Sequence, residues 1–146
     1  MTPEQIQAAA AALDQAERSR VQIRMLTLDH PDMDMADAYA VQAAWVAHKL
    51  GNGRKIVGWK IGLTSKAMQQ ALNIDIPDSG VLLDDMQFED GATIPKTRFI
   101  KPRIEAEIAF VMGSDLSGPN VTPADVIAAT RAVRSEEHTS ELQSPC

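Results

Sequence analysis

The stretch Phe99-Ile100-Lys101-Pro102-Arg103-Ile104-Glu105-Ala106-Glu107-Ile108-Ala109-Phe110-Val111-Met112 decides how this chain is read. From Arg103 it alternates with the period of two that marks a strand. Ile104, Ala106, Ile108, Phe110 and Met112 fall on one face, and Arg103, Glu105, Glu107, Ala109 and Val111 on the other. Two carboxylates therefore share a face, about 6.6–7 Å apart at Cα. Further along, that face turns apolar. If it is even partly buried, the two carboxylates repel and lose hydration, so a proton, an arginine or a metal ion must neutralise them. Mg²⁺ and Mn²⁺ favour oxygen ligands and take carboxylates with waters or substrate oxygens completing the shell. A strand with a wet face and two solvated glutamates has the same spacing, so spacing alone leaves both readings open.

On the N-terminal side, Lys55 to Gly62 reads as a second strand with Val57, Trp59 and Ile61 on one face and Ile56, Gly58, Lys60 and Gly62 on the other. Lys60 is flanked on its own face by two glycines. Glycine inside a strand marks a close approach of ligand or backbone, or only a bulge. Partial burial would suit Lys60 to proton transfer; a surface lysine is the plainer reading. Thr64 or Ser65 can cap a helix through Leu72 whose free N–H groups could receive a carboxylate. Pro77-Asp78-Ser79-Gly80 reads as a turn with Asp78 its former, followed by a strand at Val81-Leu82-Leu83. Asp84-Asp85 reads as loop, and Asp90-Gly91 as a hairpin turn between Met86-Gln87-Phe88 and Thr93-Ile94-Pro95.

Before these lie two helices. Thr2-Pro3-Glu4-Gln5 opens the first, which is expected to run into the Arg18 to Arg24 region. Asp34 caps the second, with Ala38, Val41 and Trp45 inward and Gly51 and Gly53 at its end. His48 reads as a surface residue near its last turn. After the central strand, Thr122-Pro123-Ala124-Asp125 opens another helix, with Val126, Ile127 and Val133 as its apolar side.

The 146 residues suffice for one domain with a core. A net charge of −6 and 4% aromatics argue against nucleic-acid binding. No apolar run has membrane-spanning length. The N-terminus lacks signal-peptide regions and the one cysteine is Cys146, which fits a cytoplasmic protein.

Residues from about 13 to 133 resemble the hydratase and decarboxylase branch of the fumarylacetoacetate hydrolase superfamily. The resemblance rests on Leu13-Asp14-Gln15-Ala16-Glu17, Asp37-Ala38-Tyr39-Ala40-Val41-Gln42, Lys60-Ile61-Gly62-Leu63-Thr64-Ser65-Lys66-Ala67-Met68, Leu82-Leu83-Asp84-Asp85-Met86 and Pro102-Arg103-Ile104-Glu105-Ala106-Glu107. It implies an α+β fold, with N-terminal helices followed by a mixed β-sandwich or β-roll that is incomplete in this chain. It also implies Mg²⁺ or Mn²⁺ held by Glu105, Glu107 and a third carboxylate, with Lys60 relaying protons and Asp78 helping. The expected reaction is hydration of a 2-hydroxy-2,4-dienoate of the 2-oxo-heptenedioate type in homoprotocatechuate breakdown. Arg103 or the helix start at Thr64 would meet a substrate carboxylate, and full-length relatives would form homo-oligomers. A pentenoate hydratase, a 4-oxalocrotonate decarboxylase or a carbon–carbon hydrolase on the same scaffold are the alternatives, as is a non-catalytic module.

The family chain continues past this point, into a Pro-Ala-Leu-Glu-like segment carrying the third ligand. Here Val133 is followed by a polar run in which only Leu142 is strongly apolar. Residues 134–146 resemble the translation of a sequencing-adapter oligonucleotide. They are expected to be a disordered tail after a genuine domain part at 1–133, and the chain as written is expected to be inactive.

Overall fold

In the computed structural model, residues 1–141 are described, with the side chains of all but Leu72 and residues 137–141. They form two compact units, Met1–Ile100 and the part from Lys101 onward. Helices and strands mix in an α+β pattern.

In the first unit, α1 (Pro3–Ser19) starts in a Thr2/Gln5 capping box with Pro3 in its first turn, and stops at Arg20 in the left-handed region. The apolar run after it holds one short helix, α2 (Leu26–Asp29). Helix α3 (Met35–Gly51) begins at a reciprocal box in which Asp34 Oδ1 accepts from Asp37 N at 2.8 Å and Asp37 Oδ2 from Asp34 N at 3.3 Å. Asp34→Ala is expected to cost about 1 kcal/mol, read by urea unfolding. Helices α1 and α3 pack through Ala9, Ala10 and Val41, ringed by Ile6, Leu13, Leu26, Met33 and Trp45.

Beside this seam lies an ionic cluster built from the Leu13–Glu17 segment. Asp14 is 2% exposed. Lys49 Nζ reaches Asp14 Oδ1 at 3.0 Å and Glu17 Oε2 at 2.6 Å, and lies 5.0 Å from the Trp45 ring centroid. Arg18 also pairs with Asp14, and His48 Nδ1 stands 3.7 Å from its Oδ2. His48 is thus a partly exposed structural neighbour of a buried carboxylate.

Strands β1 (Ile56–Gly62) and β2 (Asp78–Leu83) pair antiparallel, with Lys60 opposite Gly80 and Gly62 opposite Asp78. Here the expected turn at Asp78-Ser79-Gly80 is corrected: those three residues are ladder partners of β1, which supplies the pairing that local turn propensity could not foresee. Asp84 and Asp85 are not plain loop but begin a 3₁₀ turn, Asp84–Met86. Asp84 Oδ1 accepts from Lys55 N at 3.1 Å, and Asp85 pairs with Arg54 at 3.2 Å. The Leu82–Met86 segment thereby staples the end of the hairpin beneath Leu83, which is wholly buried. The turn at Asp90-Gly91 forms, with Ala92 N donating to Glu89 O and Gly91 at φ 75°. The strands expected on either side of it do not form, and a 3₁₀ turn, Lys96–Arg98, follows. Pro95 removes a ladder donor there, and three-residue segments offer too few ladder bonds to hold a hairpin by themselves.

In the second unit, β3 (Pro102–Met112) pairs antiparallel with β4 (Thr130–Glu141), and α5 (Pro123–Ala129) connects them. One expectation changes. Helix α5 ends at Ala129, so Val133 lies on β4 opposite Phe110 rather than on the helix. Residues 134 to 141 continue β4. The long edge of β3 offers backbone partners that need no apolar side chains. Residues 142–146 lie outside the described residues. The apolar face of β3 is exposed: Ile104 76%, Ile108 71%, Phe110 59%.

Candidate functional site

The six residues picked out in the sequence fall into two groups, one per unit. Lys60 and Asp78 share a face of the β1–β2 hairpin. Lys60 lies between Gly58 and Gly62 on its own strand and faces Gly80 across the ladder, while Asp78, opposite Gly62, is its diagonal neighbour. Lys60 and the three glycines are half-buried, and Asp78 is exposed. The lysine thus rises from a floor of bare backbone. A Cβ at Gly80 would meet nothing within 4 Å, so the space opposite Lys60 is open. The other face carries Val57, Trp59 and Ile61, all more than half exposed.

Thr64 follows Leu63, which is held at φ 53°. It is not the cap: α4 (Lys66–Leu72) has Ser65 at its N-cap, with no side-chain capping bond. Buried Gln69 fixes this corner instead, its Nε2 donating to Leu63 O at 2.6 Å while its Oε1 accepts from Lys66 Nζ at 3.0 Å.

In the second unit Arg103, Glu105 and Glu107 alternate along β3 on one face. Arg103 and Glu105 are exposed; Glu107, Ala109 and Val111 are half-buried. The carboxylates thus sit where the wet face becomes a covered one. Opposite Glu107 on β4 stands Glu136, itself paired with Arg134. Two carboxylates at this spacing offer the oxygen donors that Mg²⁺ takes. Among the described residues, no group of three His, Cys, Asp or Glu side chains could hold a metal ion.

Three residues of this neighbourhood were not singled out in the sequence. Tyr39 and Gln42 on α3 bond both backbone groups of Ser79, and Gln69 locks Leu63. Tyr39 and Gln42 sit three apart, on one face of a helix, within a segment already marked for its resemblance. That spacing is the signal that could have found them.

No family model matches the chain. It is 57% identical over 121 residues to 2-oxo-hept-4-ene-1,7-dioate hydratase of Escherichia coli, covering 83% of this chain and 45% of that protein. It is 46% identical over 129 residues to 2-keto-4-pentenoate hydratase of Paraburkholderia xenovorans (strain LB400), covering 88% and 48%. Among solved structures, 4-oxalocrotonate decarboxylase from Pseudomonas putida G7, complexed with magnesium and adipate, superimposes with a TM-score of 0.89 at 38% identity, covering 95% of this chain and 53% of that one. The chain spans about half the length of the curated relatives it matches. Over the stretch that aligns, it is a homologue of the 2-oxo-dienoate hydratases and of 4-oxalocrotonate decarboxylase, the group its sequence motifs resemble.

Proposed function

We propose that this chain is part of a metal-dependent hydratase that adds water to a 2-hydroxy-2,4-dienoate, of the 2-oxo-heptenedioate type, giving a 4-hydroxy-2-oxo acid. The observation that carries the reading is the glycine-floored face bearing Lys60 and Asp78, in a chain 57% identical to a hydratase of that type. Lys60 takes the proton of the 2-hydroxyl and returns one to C5, giving the conjugated 2-oxo-3-enoate. Asp78 steadies the ammonium form. Water then adds across that double bond, hydroxyl to C4 and proton to C3. Glu105 and Glu107 would hold a divalent ion, Mg²⁺ or Mn²⁺, which when bound supplies Lewis-acid stabilisation of the enolate oxygen. The magnesium of the solved decarboxylase supports this choice. Arg103 and the Thr64 corner are the proposed contacts for substrate carboxylates.

In the same reading the whole protein is a cytoplasmic homo-oligomer with a β-sandwich or β-roll. The genuine coding region runs to about Val133, and residues 134–146 are an adapter-derived tail. A carboxylate directly opposite a carboxylate, Glu136 facing Glu107, supports this, because native ladders avoid it.

The test is long-read sequencing of the source DNA across the Val133 codon, followed by assay of both products. The frame is expected to continue into a segment with a third carboxylate. The longer product should consume dienoate absorbance with Mg²⁺, faster on the seven-carbon diacid than on the five-carbon monoacid, and the 146-residue chain should not. A confirmed tail and stop codon, or Mg²⁺-dependent hydration by the 146-residue chain itself, would overturn the proposal of a lost segment. Decarboxylation in place of hydration would favour the decarboxylase alternative.

A further inference from the structure

The Asp37–Gln42 segment and Gly62 have no part in the chemistry above, yet both converge on Asp78. Ser79, its neighbour in the chain, is gripped from α3 at both backbone groups. Ser79 N donates to Tyr39 Oη at 3.0 Å, and Gln42 Nε2 donates to Ser79 O at 3.1 Å. Across the ladder, Gly62 stands opposite Asp78. A Cβ on Gly62 would lie 3.2 Å from Asp78 Cγ and nearer still to its Oδ1. Gly62 does not have a left-handed φ, so its backbone would accept alanine. What the methyl group would displace is the Asp78 carboxylate, which lies over the bare Cα.

We propose that Tyr39, Gln42 and Gly62 are positioning residues for Asp78: α3 fixes the backbone beside it, and Gly62 seats its carboxylate on the face it shares with Lys60. The functional meaning of the seat rests on the hydratase reading; its existence does not.

The test is NMR on the full 146-residue chain, following the Asp78 carboxyl ¹³C resonance and the three-bond couplings that report its χ1 rotamer. The chain should show one rotamer. Gly62→Ala should displace it and move the carboxyl resonance without changing the circular dichroism, since only a side-chain tip has to yield. Tyr39→Phe, which keeps the ring, should average the couplings and speed Ser79 amide exchange about fivefold, the size of one lost intramolecular hydrogen bond. If both variants keep the parent rotamer, the inference is overturned. If Gly62→Ala does not fold, Tyr39→Phe decides alone. Displaced rotamers in the variants, beside a longer product that hydrates no dienoate, would uphold the seat and count only against the hydratase reading.

Discussion

Lys49→Met is expected to lower the unfolding free energy by about 3–5 kcal/mol at pH 7, the usual cost of removing one partner from a buried ion pair. Asp14, 2% exposed beside Lys49, would be left with only Arg18 and His48, both partly in water, to balance it. The loss would come from the stranded carboxylate rather than from the missing attraction. Pairing Lys49→Met with Asp14→Leu should therefore recover most of it. Urea unfolding followed by helical circular dichroism measures both. A cost below about 1 kcal/mol for the single change would show that Asp14 is not isolated from solvent as its burial indicates.

The same cluster sets a pH dependence. Burial pushes the Asp14 carboxyl up, but the hydrogen bond and charge of Lys49, with Arg18 and His48, outweigh it and hold the group below the ordinary carboxylate range. Burial likewise pushes Lys49 down, and the hydrogen bonds and charges of Glu17 and Asp14 more than reverse it. A carboxyl depressed in the folded state gives stability that is present above its unfolded value of about 3.9, and lost as pH falls through the folded one. An ammonium raised in the folded state gives stability that is full below about 10.4, and lost as pH climbs through its folded value. Between about pH 5 and 9 the contribution is flat. Asp14→Asn should remove part of the acid limb, and an unchanged limb would place acid sensitivity elsewhere.

Much of this arrangement could be read in the chain, and the exceptions share a cause. The capping boxes at Thr2, Asp34 and Thr122 are local chemistry, and all three helices start there. The alternation from Arg103 gave β3 its two faces correctly, because period-two patterning needs no partner to be legible. What failed depended on a partner. Asp78-Ser79-Gly80 has the composition of a turn and becomes strand only because β1 lies opposite. Val133 reads as part of the helix's apolar side and lies on a strand because Phe110 of β3 stands opposite. The site was half legible for the same reason. Lys60 between two glycines and the Glu105/Glu107 pair are within-strand patterns. Gly80 opposite Lys60, and Asp78 across Gly62, are facts of register. The grip of Tyr39 and Gln42 on Ser79 joins residues 40 and 37 positions apart.

If the proposed roles are right, a polypeptide extended to the relatives' length should separate them cleanly. Lys60→Ala is expected to lower kcat by about 10²–10⁴-fold, the usual share of a positioned proton carrier, while the Mg²⁺ concentration for half-maximal activity stays put. Lys60→Arg should fare nearly as badly. It keeps the charge beside Asp78 but cannot give up a proton at working pH, so poor rescue would identify proton transfer rather than charge as the need. Glu105→Gln and Glu107→Gln should show the opposite split. Their Mg²⁺ requirement should rise by at least the ~10–100-fold that losing even an outer-shell partner costs a metal site. Of the two, Glu107 should matter more, because it is half-buried whereas Glu105 is exposed, and a less solvated carboxylate attracts a cation more strongly. Should Lys60→Ala raise the Mg²⁺ requirement and leave saturated turnover intact, the lysine would belong to binding. The glycine-floored face of β1 and β2 would then have to be read as a recognition surface instead of the place where the proton moves.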